Sequence, residues 1–336
     1  MSVDRTHPPA PGPRPAPRLP KIERARLANG LRVASTHYDG TPETLFEIAL
    51  PGGHVFETRE QLGLASLVAR AMQEGTRKLS TVEFIDALDH LGADLRVSSD
   101  DDELTLSLRV LDRRLQPALE LLFDVLLEPR FDDADFERVR KLRLASIAAR
   151  GDDASAVAAD VWRRLMYGDE VSLGRSAGGT AECVARVTTD DLRAFHAAAL
   201  DPVRARVAVV GRWNASEVVA LLAPLAKRWP ACRANAMPAF EPRENAARRG
   251  LFVVDRPGAP QSELRIGRLA IAAGDPDWLA LGALNYSLGG TFTSRINLNL
   301  RERNGYTYGA RSGFETAPRR APFSVAAAVH TRFTRW

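Results

Sequence analysis

Two helix endings, Gly75-Thr76 and Gly290-Thr291, lie about 215 residues apart, and the patterns around them match element for element. Ahead of the first, Leu31 to Ser35 and Leu45 to Leu50 alternate like strands. Pro51-Gly52-Gly53 then turns the chain, and apolar spacing predicts a helix from about Glu60 to Gln73. After it, Ser80 with Glu83 three residues on forms a capping-box pattern for a helix to Leu91. Gly92 then leads into one long strand segment, Asp94 to Leu111. Ahead of the second ending, LFVVDRPG follows Gly250, Glu263 to Ala272 reads as a strand, and Asp277 to Leu288 reads as a helix. After it come a helix from Ser294 to Arg303, Gly305, and a strand from Tyr306 to Phe314. Recurrence of whole elements at this spacing signals a duplicated α+β half.

Helical patterns fill the space between the repeats: Leu115 to Leu127, Asp132 to Arg150, Ala154 to Tyr167 and Thr189 to Leu200. VRARVAVVG follows as a central strand ending at Gly211, and Ser216 to Arg228 as a further helix. The expected organisation is a Pro-rich disordered arm over 1–20, a first half over 21–229, a linker over 230–249 and a second half over 250–336. In the second half the pattern FSVAAAVHT breaks off into RFTRW where the first half supplies covering helices. A bare apolar sheet face is an aggregation hazard, so the second half is expected to be truncated.

Composition narrows the function classes. The 336 residues are 45% hydrophobic and 26% charged, the balance of a soluble globular chain of about two domains. The net charge of +4 comes from scattered residues that are nearly all arginine, with lysine only at Lys21, Lys78, Lys141 and Lys227, so no nucleic-acid partner is expected. Cys183 and Cys232 are too far apart for a metal or disulfide framework and read as free thiols. The N-terminus lacks the apolar core of a secretory signal, and no apolar run is long enough to cross a membrane.

The stretch SLGGTFTSRINLNLRERNGYTYGARSGF, Ser287 to Phe314, resembles the M16 metallopeptidase family, the insulinase and mitochondrial-processing-peptidase type. GLASLVARAMQEGT, the Asp152-Asp153 turn and the central strand before Gly211 resemble it in the first half. The resemblance covers about residues 22 to 331 and implies two homologous, LuxS/metallohydrolase-like α/β sandwich halves. Active members resemble one another in an inverted zinc motif, His-x-x-Glu-His, on the helix that ends in Gly-Thr. In register, its two histidines fall here at Ser66 and Arg70, its glutamate at Ala69, and the third ligand, on a later helix, at about Ser146. Alanine cannot serve as a base, serine is a poor zinc ligand, and a guanidinium repels a divalent cation. The six histidines, His7, His37, His54, His90, His196 and His330, include no pair at ligand spacing and read as surface or core polar residues.

The resemblance also implies an arginine, followed seven residues later by a tyrosine, that reaches from the noncatalytic half and holds the substrate backbone. Arg301 and Tyr308 occupy those positions; by spacing alone they would be a solvated helix residue and an ordinary strand aromatic. Tyr306 reads as core. Gly289 and Gly290 read either as close packing or as a plain helix stop, and the acidic run Asp100 to Glu103 as a solvated turn in preference to a face for a basic peptide in the chamber. The resulting expectation is a zinc-free subunit that does no catalysis alone. A bacterial M16 homologue carrying His-x-x-Glu-His would bring the zinc, and this chain would close a heterodimeric chamber around a peptide. The alternative is a structural or assembly protein that keeps the fold without proteolysis. The chain as written is expected in the cytoplasm, or in the periplasm if an N-terminal signal is missing.

Overall fold

The computed structural model describes residues 12, 13, 16, 20–229 and 249–334. Most of the expected arm, the expected linker apart from Arg249, Cys232 and the last two residues lie outside the described residues.

The first unit is built on a six-stranded sheet: β1 (Glu23–Arg26), β2 (Arg32–His37), β3 (Glu43–Pro51), β4 (Asp94–Ser99), β5 (Glu103–Leu111) and β6 (Arg206–Gly211), in the order β1-β2-β6-β3-β5-β4. Only β2 and β6 run parallel; the other neighbours are antiparallel. Register sets the two faces. Phe46 lies opposite Leu108 and Val209, and Ile48 opposite Leu106 and Val207, so alternate residues of β3, β5 and β6 point into one apolar layer. Onto that face pack α1 (Leu64–Ala71), α3 (Leu115–Leu127), α7 (Thr189–Ala199) and α8 (Ala215–Arg228), whose buried side chains join the same core. α2 (Thr81–Leu91) packs on α3, α4 (Asp133–Arg150) packs on α1 and on the short α6 (Ala181–Arg186), and α5 (Ala154–Tyr167) lies against the second unit. The opposite face stays open, with Leu45 and Val210 exposed beside Glu47 and Arg109.

The second unit holds a three-stranded sheet, β7 (Gln261–Leu269), β8 (Ala310–Phe314) and β9 (Pro322–His330), ordered β7-β9-β8 and antiparallel throughout. This repeats the order β3-β5-β4 of the first unit. α9 (Trp278–Asn285) follows β7 as α1 follows β3, and wide, π-type helical turns over Tyr286–Gly290 and Leu298–Arg303 flank the three-residue α10 (Arg295–Asn297).

Several elements differ from the sequence reading. The helix expected over Glu60 to Gln73 is split: Arg59–Gln61 is a separate short turn and α1 ends at Ala71. The final turn to Gly75 tightens through Gln73 and Glu74, whose amides donate to Arg70 and Ala71. Asp94 to Leu111 is a hairpin. It turns at Asp100, whose Oδ1 accepts the amides of Asp102 and Glu103 at 2.8 Å each, a turn made without Gly or Pro. α6 has no amphipathic pattern to mark it in the sequence, since only one residue in it, Val184, is buried. Leu251 to Val254 is exposed and unpaired. In the first unit β2 is held by parallel pairing with β6, and no described strand plays that part beside β7.

Candidate functional site

α1 forms because Leu64, Ala65, Leu67, Val68 and Ala71 recur on a face that packs against β4, α4 and α7. Its N-terminus is capped at a distance. The carboxylate of Glu57 accepts the amides of Gly63 (2.9 Å) and Ala65 (2.7 Å) and lies 2.6 Å from His54 Nδ1, with both acid and imidazole buried. Its C-terminus turns at Gly75, where φ is 112° and an added Cβ would stand 2.6 Å from the Leu79 carbonyl oxygen.

The four positions that correspond to the zinc motif sit on this helix and on α4. Ser66 Oγ donates to the Gly63 carbonyl at 2.9 Å, Ala69 is buried, and Ser146 is exposed on α4. Arg70 reaches the buried carboxylate of Glu74 at 3.6 Å, and that carboxylate also pairs with Arg138 of α4. The donor set does not fit a zinc ion: it offers two hydroxyls, of which that of Ser66 is already engaged, a methyl group, and a cation whose acidic neighbour is shared with a second cation. Among the described residues no group of three His, Cys, Asp or Glu side chains is placed to hold a metal. His196 is a core residue, with Nε2 2.8 Å from the Leu126 carbonyl, and His54 is the partner of the Glu57 cap. Cys183 is a half-buried free thiol.

Arg301 and Tyr308 lie in the second unit and differ in surroundings. Arg301 is on the π-type turn Leu298–Arg303, its guanidinium carbon 4.0 Å from the centroid of the Phe292 ring. Its Nε stands 3.7 Å from Glu302, while Nη1 is buried without a hydrogen-bond acceptor among the described residues. Tyr308 is 89% exposed, ahead of β8. The strand expected from Tyr306 begins only at Ala310, and Tyr306 is half-buried, stacked on Phe333 with ring centroids 4.4 Å apart. Gly289 is a close-packing position, since a Cβ there would stand 2.3 Å from Ser312 Oγ of β8.

Two residues that hold this region together were missed by sequence reasoning. Asn297, buried at the end of α10, donates to the Thr291 carbonyl (3.0 Å) and accepts the Ala310 amide (2.8 Å), and so ties the turn carrying Phe292 to β8. Phe292 itself is 60% exposed and stands against the Arg301 guanidinium. Neither carries a local signal, because the wide turns that bring residues 292 and 301 together have no recognisable spacing. The acidic run is likewise no solvated turn. Asp101 pairs with Arg163 at 2.7 Å, and both Asp101 and Asp102 pair with Arg319 of the second unit, whose side chain is only 5% exposed.

Among the described residues no helix is long and apolar enough to cross a membrane. The profile described as Insulinase (Peptidase family M16) matches residues 32–172, and that described as Peptidase M16 inactive domain matches residues 186–332. A protein of Streptomyces coelicolor named an uncharacterized zinc protease is 27% identical over 296 residues, covering 87% of this chain and 64% of its own length. A non-peptidase homolog of Helicobacter pylori is 25% identical over 276 residues, covering 81% and 63%. The chain thus spans just under two thirds of each of these relatives. Among solved structures, a peptidase M16 inactive domain from Pseudomonas fluorescens superposes with a TM-score of 0.87 at 25% identity, over 94% of this chain and 76% of that one. A protease from Helicobacter pylori shares the fold at a TM-score of 0.82 and 21% identity, over 93% and 76%.

Proposed function

We propose that this chain, which belongs to the M16 peptidase family, is the zinc-free, noncatalytic subunit of a two-component M16-type peptidase. A homologous subunit with an intact His-x-x-Glu-His helix supplies the zinc and the activated water. This chain closes the chamber and holds an extended peptide. We read it as two homologous halves, one over 21–229 and one from 250 onward, with the repeated order β3-β5-β4 and β7-β9-β8 in support.

The observation that carries the reading is an asymmetry. Ser66, Ala69, Arg70 and Ser146 offer no metal site, whereas Arg301 keeps a guanidinium on an aromatic shelf with Nη1 lacking an acceptor among the described residues, and Tyr308 exposes its phenol. A forked cation and a phenol are suited to donate to peptide carbonyls and to the oxyanion that one of them becomes during hydrolysis. Peptide selection by main-chain pairing at a sheet edge is consistent with β4, which closes its sheet with one side unpaired. The open sheet face adds a shallow concavity of about 540 Å³ lined by Leu45, Glu47, Arg96, Arg109, Ala208 and Val210.

Mixing the purified chain with a zinc-bearing homologue and following cleavage of a fluorogenic peptide tests the reading. Arg301→Ala and Tyr308→Phe are each expected to lower the mixture's rate, by on the order of 100-fold where an oxyanion donor is lost. A mixture no more active than the homologue alone, or one indifferent to both substitutions, would overturn it. The second reading, a structural or assembly protein that keeps the fold, is favoured by the name of the Helicobacter pylori non-peptidase relative. It predicts a stable complex that binds no peptide.

A further inference from the structure

We infer that Phe292 is a positioning residue, the platform that sets the Arg301 guanidinium for peptide binding; the inference rests on the peptide-holding reading above. Phe292 is absent from the core. The small apolar cluster of the second unit consists of Ala310, Ala327 and Val329 with Leu264, Ile296 and Leu300 against them, and the Phe292 ring stands outside it, 60% exposed. What the ring does touch is a cation. At 4.0 Å from centroid to guanidinium carbon, it occupies one face of the Arg301 fork.

With that face covered, the fork can bind only through its edge and remaining face. Nε is drawn loosely toward Glu302 and Nη1 is buried, so a ligand meets the fork through the exposed third of the side chain. A planar acceptor, a peptide carbonyl or a terminal carboxylate, is the chemistry that satisfies such an edge. A free arginine would spend its rotamer freedom on binding; one laid on a fixed ring has given up much of it beforehand. The ring is fixed in turn. Asn297 donates to Thr291 on one side of Phe292 and to Ser294 Oγ on the other, and its own oxygen accepts from Ala310 of β8. The close approach of Gly289 to Ser312 anchors the preceding turn to the same strand.

The test measures anisotropy of fluorescein-labelled casein fragments on the complex of the full chain with a zinc-bearing homologue, with a chelator present so that the probe binds uncut. Arg301→Ala is expected to weaken binding, Phe292→Leu to weaken it about fivefold, and Phe292→Trp to restore or tighten it, because the larger π-face holds a guanidinium better. In the Arg301→Ala background, Phe292→Leu is expected to add nothing, which separates positioning from a contact of the ring with peptide. Equal melting temperatures for the Phe292 variants would accompany this result, since the ring supports no core. If Phe292→Leu binds like the unaltered chain while Arg301→Ala does not, or if the two losses add, the platform is overturned and the peptide-holding reading stands. If Arg301→Ala binds the probe unchanged, that reading falls and the inference with it.

Discussion

His196 shows how a single side chain can carry information that the sequence leaves neutral. Its ring is buried in edge contact with Phe131, 5.6 Å between centroids, and Nε2 faces the Leu126 carbonyl. Burial lowers its pKa from 6.5 to about 4, against the opposing pull of that carbonyl. An unfolded chain therefore takes up a proton at this position between about pH 6.5 and pH 4 that the folded chain refuses. The stability contribution is whole above that window and is lost as pH falls through it, by about 3 kcal/mol near the lower end. His196→Gln keeps a donor for Leu126 and cannot titrate, so urea unfolding should show its curve of stability against pH flattened relative to the unaltered protein. If both curves fall equally between neutral pH and about pH 4, the assignment is wrong. The sequence placed Ser66, Ala69 and Arg70 on one helix by register alone, because a helical period is a local property. That Arg70 shares Glu74 with Arg138, or that His54 serves Glu57, depends on partners the period does not specify.

At the scale of elements, what was legible is what local spacing encodes. The capping box of α2 was readable because Ser80 and Glu83 are three residues apart, and both of its bonds form. α1 is capped just as thoroughly, but from Glu57, six residues before Gly63 and across a separate turn, so no motif announces it. In this cap two amides and an imidazole are satisfied by one buried carboxylate, which stabilises the helix start whatever stands at positions 66, 69 and 70. Glu57→Ala should accordingly cost about 3 kcal/mol, leaving two amides and His54 without their acceptor. Ser66→Ala should change stability by less than about 0.5 kcal/mol, since its hydroxyl bonds only to its own helix start. Thermal melts of the two variants decide the matter: near-equal midpoints would show that Glu57 is not what holds the helix. The hairpin of β4 and β5 reads as one strand in the sequence for the complementary reason. Its turn is made by the Asp100 side chain and contains no glycine or proline to mark it.

Across the whole molecule the same acidic turn becomes the joint between units. Asp101 and Asp102 hold Arg319, Asp101 also holds Arg163 of α5, and Arg256 and Arg265 reach Gly151, Asp152 and Ser155 beside them. α5 packs along β7, so the ionic joint borders a continuous contact. No reading of residues 100–103 alone could find this, since their partner is more than two hundred residues away; a run of acids looks solvated until the cation is placed. Burial at the joint pushes the Asp102 carboxyl upward even though Arg319 pulls it down. Removing the cation in Arg319→Ala leaves the half-buried Asp102 carboxylate without its partner while Asp101 keeps Arg163, at an expected cost of about 2 to 3 kcal/mol. The sign with pH follows. A carboxylate whose folded pKa is raised favours folding below its unfolded pKa and loses that contribution as pH rises through the folded value. The penalty of Arg319→Ala should therefore grow as pH rises and shrink as pH falls toward the raised range of the Asp102 carboxyl, where protonation relieves the lost pairing. Amide exchange locates the effect: β7 and β9 should exchange faster in the variant while β3 and β5 keep their protection. Unchanged exchange in Gln261–Leu269 and Pro322–His330 would mean that apolar packing of α5 on β7, and not the ionic joint, holds the two units together.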